Sequence, residues 1–228
     1  MEGIQVLLRA KLLEGLTGGQ VEPLLAVARR AEYTRGAHVW MEGDEADSLF
    51  ILTTGQVRVY RLAPSGEEVV VQVYVEGDHF GEFGLFAEEL RMTNAQAMVP
   101  SVCLSFAREP VLLFLERTPL VMRRMLRALS LASRTQLDTF TDVAFHEIRA
   151  RVARKLLELA QQHGEPTGDG IKITIKLSQG TLAGMIAASR TNVNRALATF
   201  VAGGAVRHRE GYFTIRRPDD LRRYGQQA

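Results

Sequence analysis

Between about Tyr33 and Arg108, apolar residues recur at every second position, in short runs punctuated by Gly, Pro, Asp and Ser. The runs are HVWMEG, SLFILTTG, QVRVYRLAPSG, EEVVVQVYVEGDHFG, AQAMV and SVCLSF. No long helical pattern interrupts them. Successive strands must therefore pair antiparallel, because parallel neighbours need a crossover of roughly a dozen residues or more. Ala63-Pro64-Ser65-Gly66 reads as a hairpin turn between two alternating runs. Many short strands at this spacing predict a sandwich or barrel.

Helical spacing brackets the block. Leu7, Leu8, Leu12, Leu13, Leu16, Val21, Leu24, Leu25 and Val27 place a helical pattern over the first 30 residues, interrupted at Gly18-Gly19. From Glu109 to Ala144 the pattern is helical again. Met122, Leu126, Leu129, Ser133, Gln136, Phe140 and Val143 alternate by four and three, a coiled-coil seam of about three heptads. Its simplest partner is the same helix in a second copy; the alternative is packing on the sheet of its own chain. A basic amphipathic helix then runs from Phe145 to Gln162, with Ile148, Val152, Leu156 and Leu159 as its core face. Gly164–Gly170 reads as a loop, IKITIKL as a strand, and AVRHREGYFTIRR as a hairpin with Glu210-Gly211 at its tip.

Residues 178–198 read SQGTLAGMIAASRTNVNRALA. Two short amphipathic helices fit there, around Ala187, Ala188 and Ser189, with Ser178 as a good N-cap for the first. Leu182, Met185 and Ile186 share one face, and Val193, Leu197 and Phe200 another. This is the helix-turn-helix pattern, in which the second helix enters the DNA major groove. The start of that helix carries Arg190, Thr191, Asn192, Asn194 and Arg195. Arg can donate two hydrogen bonds to guanine, and Asn can pair with adenine. The plainer alternative is a helical hairpin with a solvated face. Charge favours the first reading. Of the 228 residues, 1–146 carry 14 Lys/Arg and 19 Asp/Glu, whereas 147–228 carry 14 and 7. The half bearing the motif is the basic one, as phosphate neutralisation requires.

Other classes are disfavoured. With a single cysteine, Cys103 in an apolar run, no intramolecular disulfide or zinc cluster can form, and a small core residue is the simplest reading of it. No metal is expected. His38, His79, His146, His163 and His208 are scattered, and no Ser/His/Asp set or P-loop appears, so an enzyme is not expected. No run of about 18 apolar residues exists and the N-terminus does not read as a signal peptide, so the expectation is a cytoplasmic protein with no membrane partner.

In this order, a sheet domain, a seam helix and a winged helix-turn-helix resemble the CRP/FNR family of bacterial transcription regulators. The likeness covers essentially the whole chain. It rests on EGDEADSLFILTTGQVRVY, with Gly43, Asp44, Asp47 and Gly55 at the family's turns, on GDHFGEFGLF with Arg91 nine residues after Glu82, and on LSQGTLAGMIAASRTNVNRAL. The resemblance implies an α+β fold: an N-terminal antiparallel β-roll of jelly-roll, cyclic-nucleotide-binding type (1–118), a long dimerisation helix (119–145) and a C-terminal winged helix-turn-helix (146–228). It further implies a homodimeric regulator reading a palindromic site on double-stranded DNA. RNA polymerase is an expected partner, since activators of the family contact it. The single cysteine excludes the family's iron–sulfur branch.

The family's phosphate cassette is matched by Gly81, Glu82, Phe83 and Arg91; backbone amides and the Arg would hold a cyclic phosphate while the Glu accepts from a ribose hydroxyl. Met92 stands where the family has Ser or Thr, and Thr93 lies one residue along. Gln136 and Leu137 occupy the positions that reach the purine, and only Gln136 can hydrogen-bond a base edge. Cyclic AMP is thus one candidate effector, beside a different ligand or a vestigial pocket in a ligand-independent regulator. On the DNA side Ser189, Arg190 and Arg195 match, whereas Thr191-Asn192 replace the Glu-Thr of the cyclic-AMP receptors. Guanine contacts are expected from Arg190 and Arg195, and a phosphate contact from Gln179. Thr191 and Asn192 rank behind, because either can cap the helix. The expected dimer interface is Met122, Leu126, Leu129, Ser133, Gln136 and Phe140.

Overall fold

The computed structural model describes residues 2–226. In chain order the elements are α1 (Glu2–Leu8), a 3-10 turn (Lys11–Leu13), α2 (Gly18–Ala26), β1 (Arg29–Tyr33), β2 (His38–Trp40), β3 (Ser48–Thr54), β4 (Gln56–Leu62), β5 (Glu68–Val75), β6 (His79–Phe80), α3 (Glu82–Ala87), β7 (Asn94–Ala97), β8 (Ser101–Ala107), α4 (Arg108–Arg117), α5 (Pro119–Phe145), α6 (Ile148–His163), β9 (Gly164–Thr167), β10 (Gly170–Ile173), α7 (Gln179–Met185), α8 (Arg190–Ala202), β11 (Val206–Arg209), β12 (Tyr212–Ile215) and α9 (Pro218–Gly225). They form two compact units. One is Met1–Arg61 with Gln72–Arg134; the other is Leu62–Val71 with Thr135–Ala228.

In the first unit two four-stranded sheets run in the orders β1-β8-β3-β6 and β2-β7-β4-β5, and every recorded strand pairing there is antiparallel. β3 explains how the unit closes. Its Phe50 and Leu52 join Trp40, Val57, Val59, Phe80, Ala95 and Cys103 in one core cluster, drawn from both sheets. The alternate residues Leu49 and Ile51 join a second cluster with Leu7, Leu13, Leu85, Phe106, Leu115 and Met125. A strand buried on both faces reads as a continuous apolar run, which is the sequence of SLFILTT. Gly55 has φ +99°, and a Cβ there would lie 2.3 Å from Ser101 Oγ, so the β3–β4 turn requires glycine. Cys103 is fully buried, and burial pushes its thiol up to about 12, consistent with an inert core residue.

Three points bear on the sequence patterns. The helical pattern of the first 30 residues stops at Ala26, and Arg29–Tyr33 forms edge strand β1, paired to β8. Its alternation is short and weak: Ala31 and Tyr33 are half-buried between exposed Arg30 and Glu32, and no residue of the strand is fully buried. The helical pattern over Glu109–Ala144 is carried by two helices: Thr118 (φ −130°, ψ 75°) separates α4 from α5 before Pro119, as the residue preceding a proline is biased to do, and α5 spans Pro119–Phe145. Finally, Met122 and Leu129, taken for the seam, pack against the chain's own second core cluster beside buried Val121 and Met125. Leu126, Leu137 and Phe140 remain 57%, 64% and 71% exposed.

In the second unit α6 buries Val152, Ala153, Leu156 and Leu159 and packs against α8 and α9, beside a small sheet in the order β11-β12-β10-β9. Gly164–Thr167, expected as loop, is strand β9 against β10, and helix α9 was not anticipated. β10 ends at Ile173, although Ile175 and Leu177 stay buried as the chain runs to α7. The β11–β12 hairpin turns at Glu210 (φ +54°) and Gly211 (φ +85°), the left-handed pair of a type I′ turn.

Candidate nucleic-acid interface and ligand cassette

α7 and α8 are set by their own caps. Ser178 Oγ accepts from the Thr181 amide at 2.9 Å, and Ser189 Oγ from the Asn192 amide at 3.4 Å. Ser189 is therefore the N-cap of α8, and Thr191 and Asn192 are not. Leu182, Met185 and Ile186 of the first helix and Val193, Leu197 and Phe200 of the second are buried, as their spacing predicts. The opposite face of α8 leaves Arg190, Thr191 and Arg195 exposed, with Asn192 and Asn194 half-buried; Gln179, at the start of α7, is also half-buried. Arg207 and Arg216 are both paired with Asp169, whereas neither Arg190 nor Arg195 takes an ion pair among the described residues. Two free guanidinium groups at the start of a capped helix, with one apolar face buried, can present bidentate donors to a groove.

The cassette lies in the first unit. Gly81, at φ +94°, is the N-cap of α3, and a Cβ there would meet Arg91 Nη1 at 3.0 Å and Ser48 O at 3.2 Å. Glu82 (4% exposed) and Arg91 (5% exposed) are buried; Phe83 and Met92 are exposed; Thr93 is half-buried and its carbonyl accepts from Trp40 Nε1. The alternative to a phosphate contact, for Arg91, is an ion pair with Glu82 or Glu88 that closes the cassette. Instead its Nη1 donates to Gly81 O at 2.7 Å and its Nη2 to Ser48 O at 2.6 Å, while Glu88 pairs with Arg108. The guanidinium also lies 4.4 Å from the Trp40 ring centroid. Burial lowers the Arg91 pKa, against the opposing pull of Asp47, Glu82 and Asp44. Two polar atoms here are buried without a hydrogen-bond partner, Glu82 Oε2 and Arg91 Nε. Gln136 lies on α5 in the second unit, exposed.

Burial raises the Glu82 pKa to about 6 from 4.5. A carboxyl whose folded pKa is raised loses stability as pH climbs from the unfolded value through the folded one, because the charged form is the costly one. Above pH 6 the cost is about 2 kcal/mol. Glu82→Gln should therefore make the ligand-free protein more stable than wild type by about 1–2 kcal/mol at pH 8, with little difference at pH 4. Urea unfolding at the two pH values checks this, and equal stabilities at pH 8 would refute it.

The sheet unit with a helix-opening cassette and the capped helix pair with a β-hairpin wing define a DNA-binding regulator with an effector-type domain. Residues 30–118 match the family model "Cyclic nucleotide-binding domain" and residues 150–224 match "Crp-like helix-turn-helix domain". The chain is 30% identical over 203 residues to the CRP-like cAMP-activated global transcriptional regulator of Mycobacterium tuberculosis, covering 89% of this chain and 91% of that one. It is also 30% identical over 206 residues to the cyclic AMP receptor protein of Thermus thermophilus, covering 90% and 92%. Among solved structures it resembles a CRP-family transcriptional regulator of Thermus thermophilus (TM-score 0.69, 26% identity, 87% and 97% covered) and, in fold, FixK2 of Bradyrhizobium japonicum (TM-score 0.77, 20% identity, 89% and 99% covered). The chain belongs to the CRP/FNR family of transcription regulators. Among the described residues no cluster of His, Cys, Asp and Glu is arranged to hold a metal, and no helix is long and apolar enough to cross a membrane.

Proposed function

We propose that this regulator acts as a homodimer joined along α5, reads a palindromic DNA site with two copies of α8, and is gated by a cyclic nucleotide bound at Gly81–Thr93. The observation that carries the gating is the pair of buried, unpartnered atoms Glu82 Oε2 and Arg91 Nε at the start of α3. Buried polar groups without partners are rare, and a ligand bearing hydroxyl and phosphate oxygens supplies a donor for the carboxylate and an acceptor for the guanidinium. The relative from Mycobacterium tuberculosis is a cAMP-activated regulator, which points the same way. Calorimetric titration of the full-length protein with cyclic AMP, with cyclic GMP as control, tests it. Saturable binding that Glu82→Gln weakens supports gating; no binding of either, in protein that still binds DNA specifically, removes it.

One observation favours a second reading, a ligand-independent regulator. Both terminal nitrogens of Arg91 already donate to backbone carbonyls, and the guanidinium stacks on Trp40. A phosphate has to displace or share those contacts.

For the DNA-reading helix, Arg190→Ala should cost roughly 1–3 kcal/mol on the selected site and relax its sequence preference. Competition binding against duplexes varied at each position measures this. Equal weakening on every duplex would reassign Arg190 to a phosphate. RNA polymerase and the cytoplasm remain the expected partner and location.

A further inference from the structure

Among the described residues of the second unit, Arg151 of α6 is a buried charged side chain, 7% exposed. Its Nη2 donates to Ile186 O and, at 3.1 Å, to Ala187 O, 35 and 36 residues further along the chain. Those carbonyls belong to the turn between α7 and α8. The turn itself is a Schellman ending: the Ala188 amide bonds Ala183 O at 3.1 Å, and the Ala187 amide bonds Gly184 O at 3.3 Å. The position that ordinarily holds glycine in this motif is Ala187, at φ +48°. A side chain in the left-handed region is strained and persists only when its surroundings hold it. Here the holder is a cation at the negative end of α7, donating to carbonyls that the helix leaves unpaired.

We infer that Arg151 is a positioning residue for DNA recognition: by tying the Ile186–Ala187 turn to α6, it sets the angle at which α8 presents Arg190–Arg195. The inference rests on the DNA-reading role of α8 proposed above. The physical link is short. α8 begins at Arg190, three residues past Ala187. α6 and α8 also pack together through apolar faces, α6 with Val152 and Leu156 buried and α8 with Val193 and Leu197. Apolar packing alone permits small rotations of one helix on another, whereas donation from one nitrogen to two successive carbonyls defines a direction. Base readout depends on that direction, while phosphate attraction does not.

The ratio of affinity for a selected duplex to affinity for a random-sequence duplex, measured on full-length protein at one salt concentration, isolates this role. A loss of folded fraction lowers both affinities alike and leaves the ratio unchanged. Arg151→Lys, which keeps the charge but replaces the fixed donor plane of the guanidinium with a freely rotating ammonium on a shorter stem, should lower the ratio about tenfold; Arg151→Met should lower it further, with random-duplex binding changed less than twofold after correction for folded fraction. Ala187→Gly, which frees the turn while leaving Arg151 in place, should lower the ratio less than either. A ratio within twofold of wild type in both Arg151 variants, whatever their thermal midpoints, overturns the assignment and leaves Arg151 a structural residue only. A wild-type ratio near one instead overturns the base-reading role of α8 and this assignment with it.

Discussion

Phe140→Asp should turn the protein from a dimer into a monomer at micromolar concentration and weaken binding to a two-half-site duplex by roughly 100-fold or more. On α5 the exposed apolar side chains Leu126, Leu137 and Phe140 are joined on one face by Ser133, at spacings of seven, four and three. That is the heptad rhythm of a helix packing on its own copy. Phe140, 71% exposed, is the largest side chain on the face. A carboxylate there would be buried against its symmetry mate, placing like charges together in an apolar seam. The avidity of two recognition helices held at half-site spacing would be lost with the dimer. Light scattering gives the mass and a gel shift the affinity. Leu131→Asp is the control, since Leu131 is exposed but lies about 140° round the helix from Leu126. A Phe140→Asp protein that remains dimeric would refute the α5 interface.

The second large effect concerns Arg91. Arg91→Ala should destabilise the ligand-free protein by about 2–5 kcal/mol. The side chain satisfies two backbone carbonyls, Gly81 O and Ser48 O, the latter 43 residues away, and stacks on Trp40 within the aromatic group of Phe50 and Phe80. Truncation leaves both carbonyls without that donor and opens a cavity beside the rings. Chemical unfolding in the absence of any nucleotide measures the loss. A variant as stable as wild type would mean that water or a neighbouring donor satisfies those carbonyls. The consequence for the cassette is practical. Loss of nucleotide binding in Arg91→Ala would not by itself identify a phosphate contact, whereas loss in Glu82→Gln, a variant expected to be more stable above pH 6, would identify a contact of the carboxylate with a ligand hydroxyl.

The alternating runs from His38 to Ala107, the α7–α8 pair and the β11–β12 hairpin were legible in the sequence because each is dictated locally. Period-two burial, Ser N-caps and a Glu-Gly turn need no knowledge of distant residues. Phe50 and Leu52 point one way from β3, and Leu49 and Ile51 the other, because a strand alternates. Membership of the family followed from the order of these local signals. The roles of individual site residues, by contrast, depend on partners far along the chain. β1 has only a two-residue alternation and β9 none, and both exist as strands because β8 and β10 offer edges to pair with. Met122 and Leu129 had the spacing of a seam, but the core of the first unit drew them in and left Leu137 on the exposed face beside Gln136. Arg91, which the resemblance implies would hold a phosphate, donates to two backbone carbonyls. Arg151 looked like one more charge on a basic helix, yet it is buried against a turn 35 residues on. Hydrophobic period is a property of neighbouring residues and can be read from their order; the choice of hydrogen-bond partner for a buried charge is made only when the folded backbone brings donor and acceptor together.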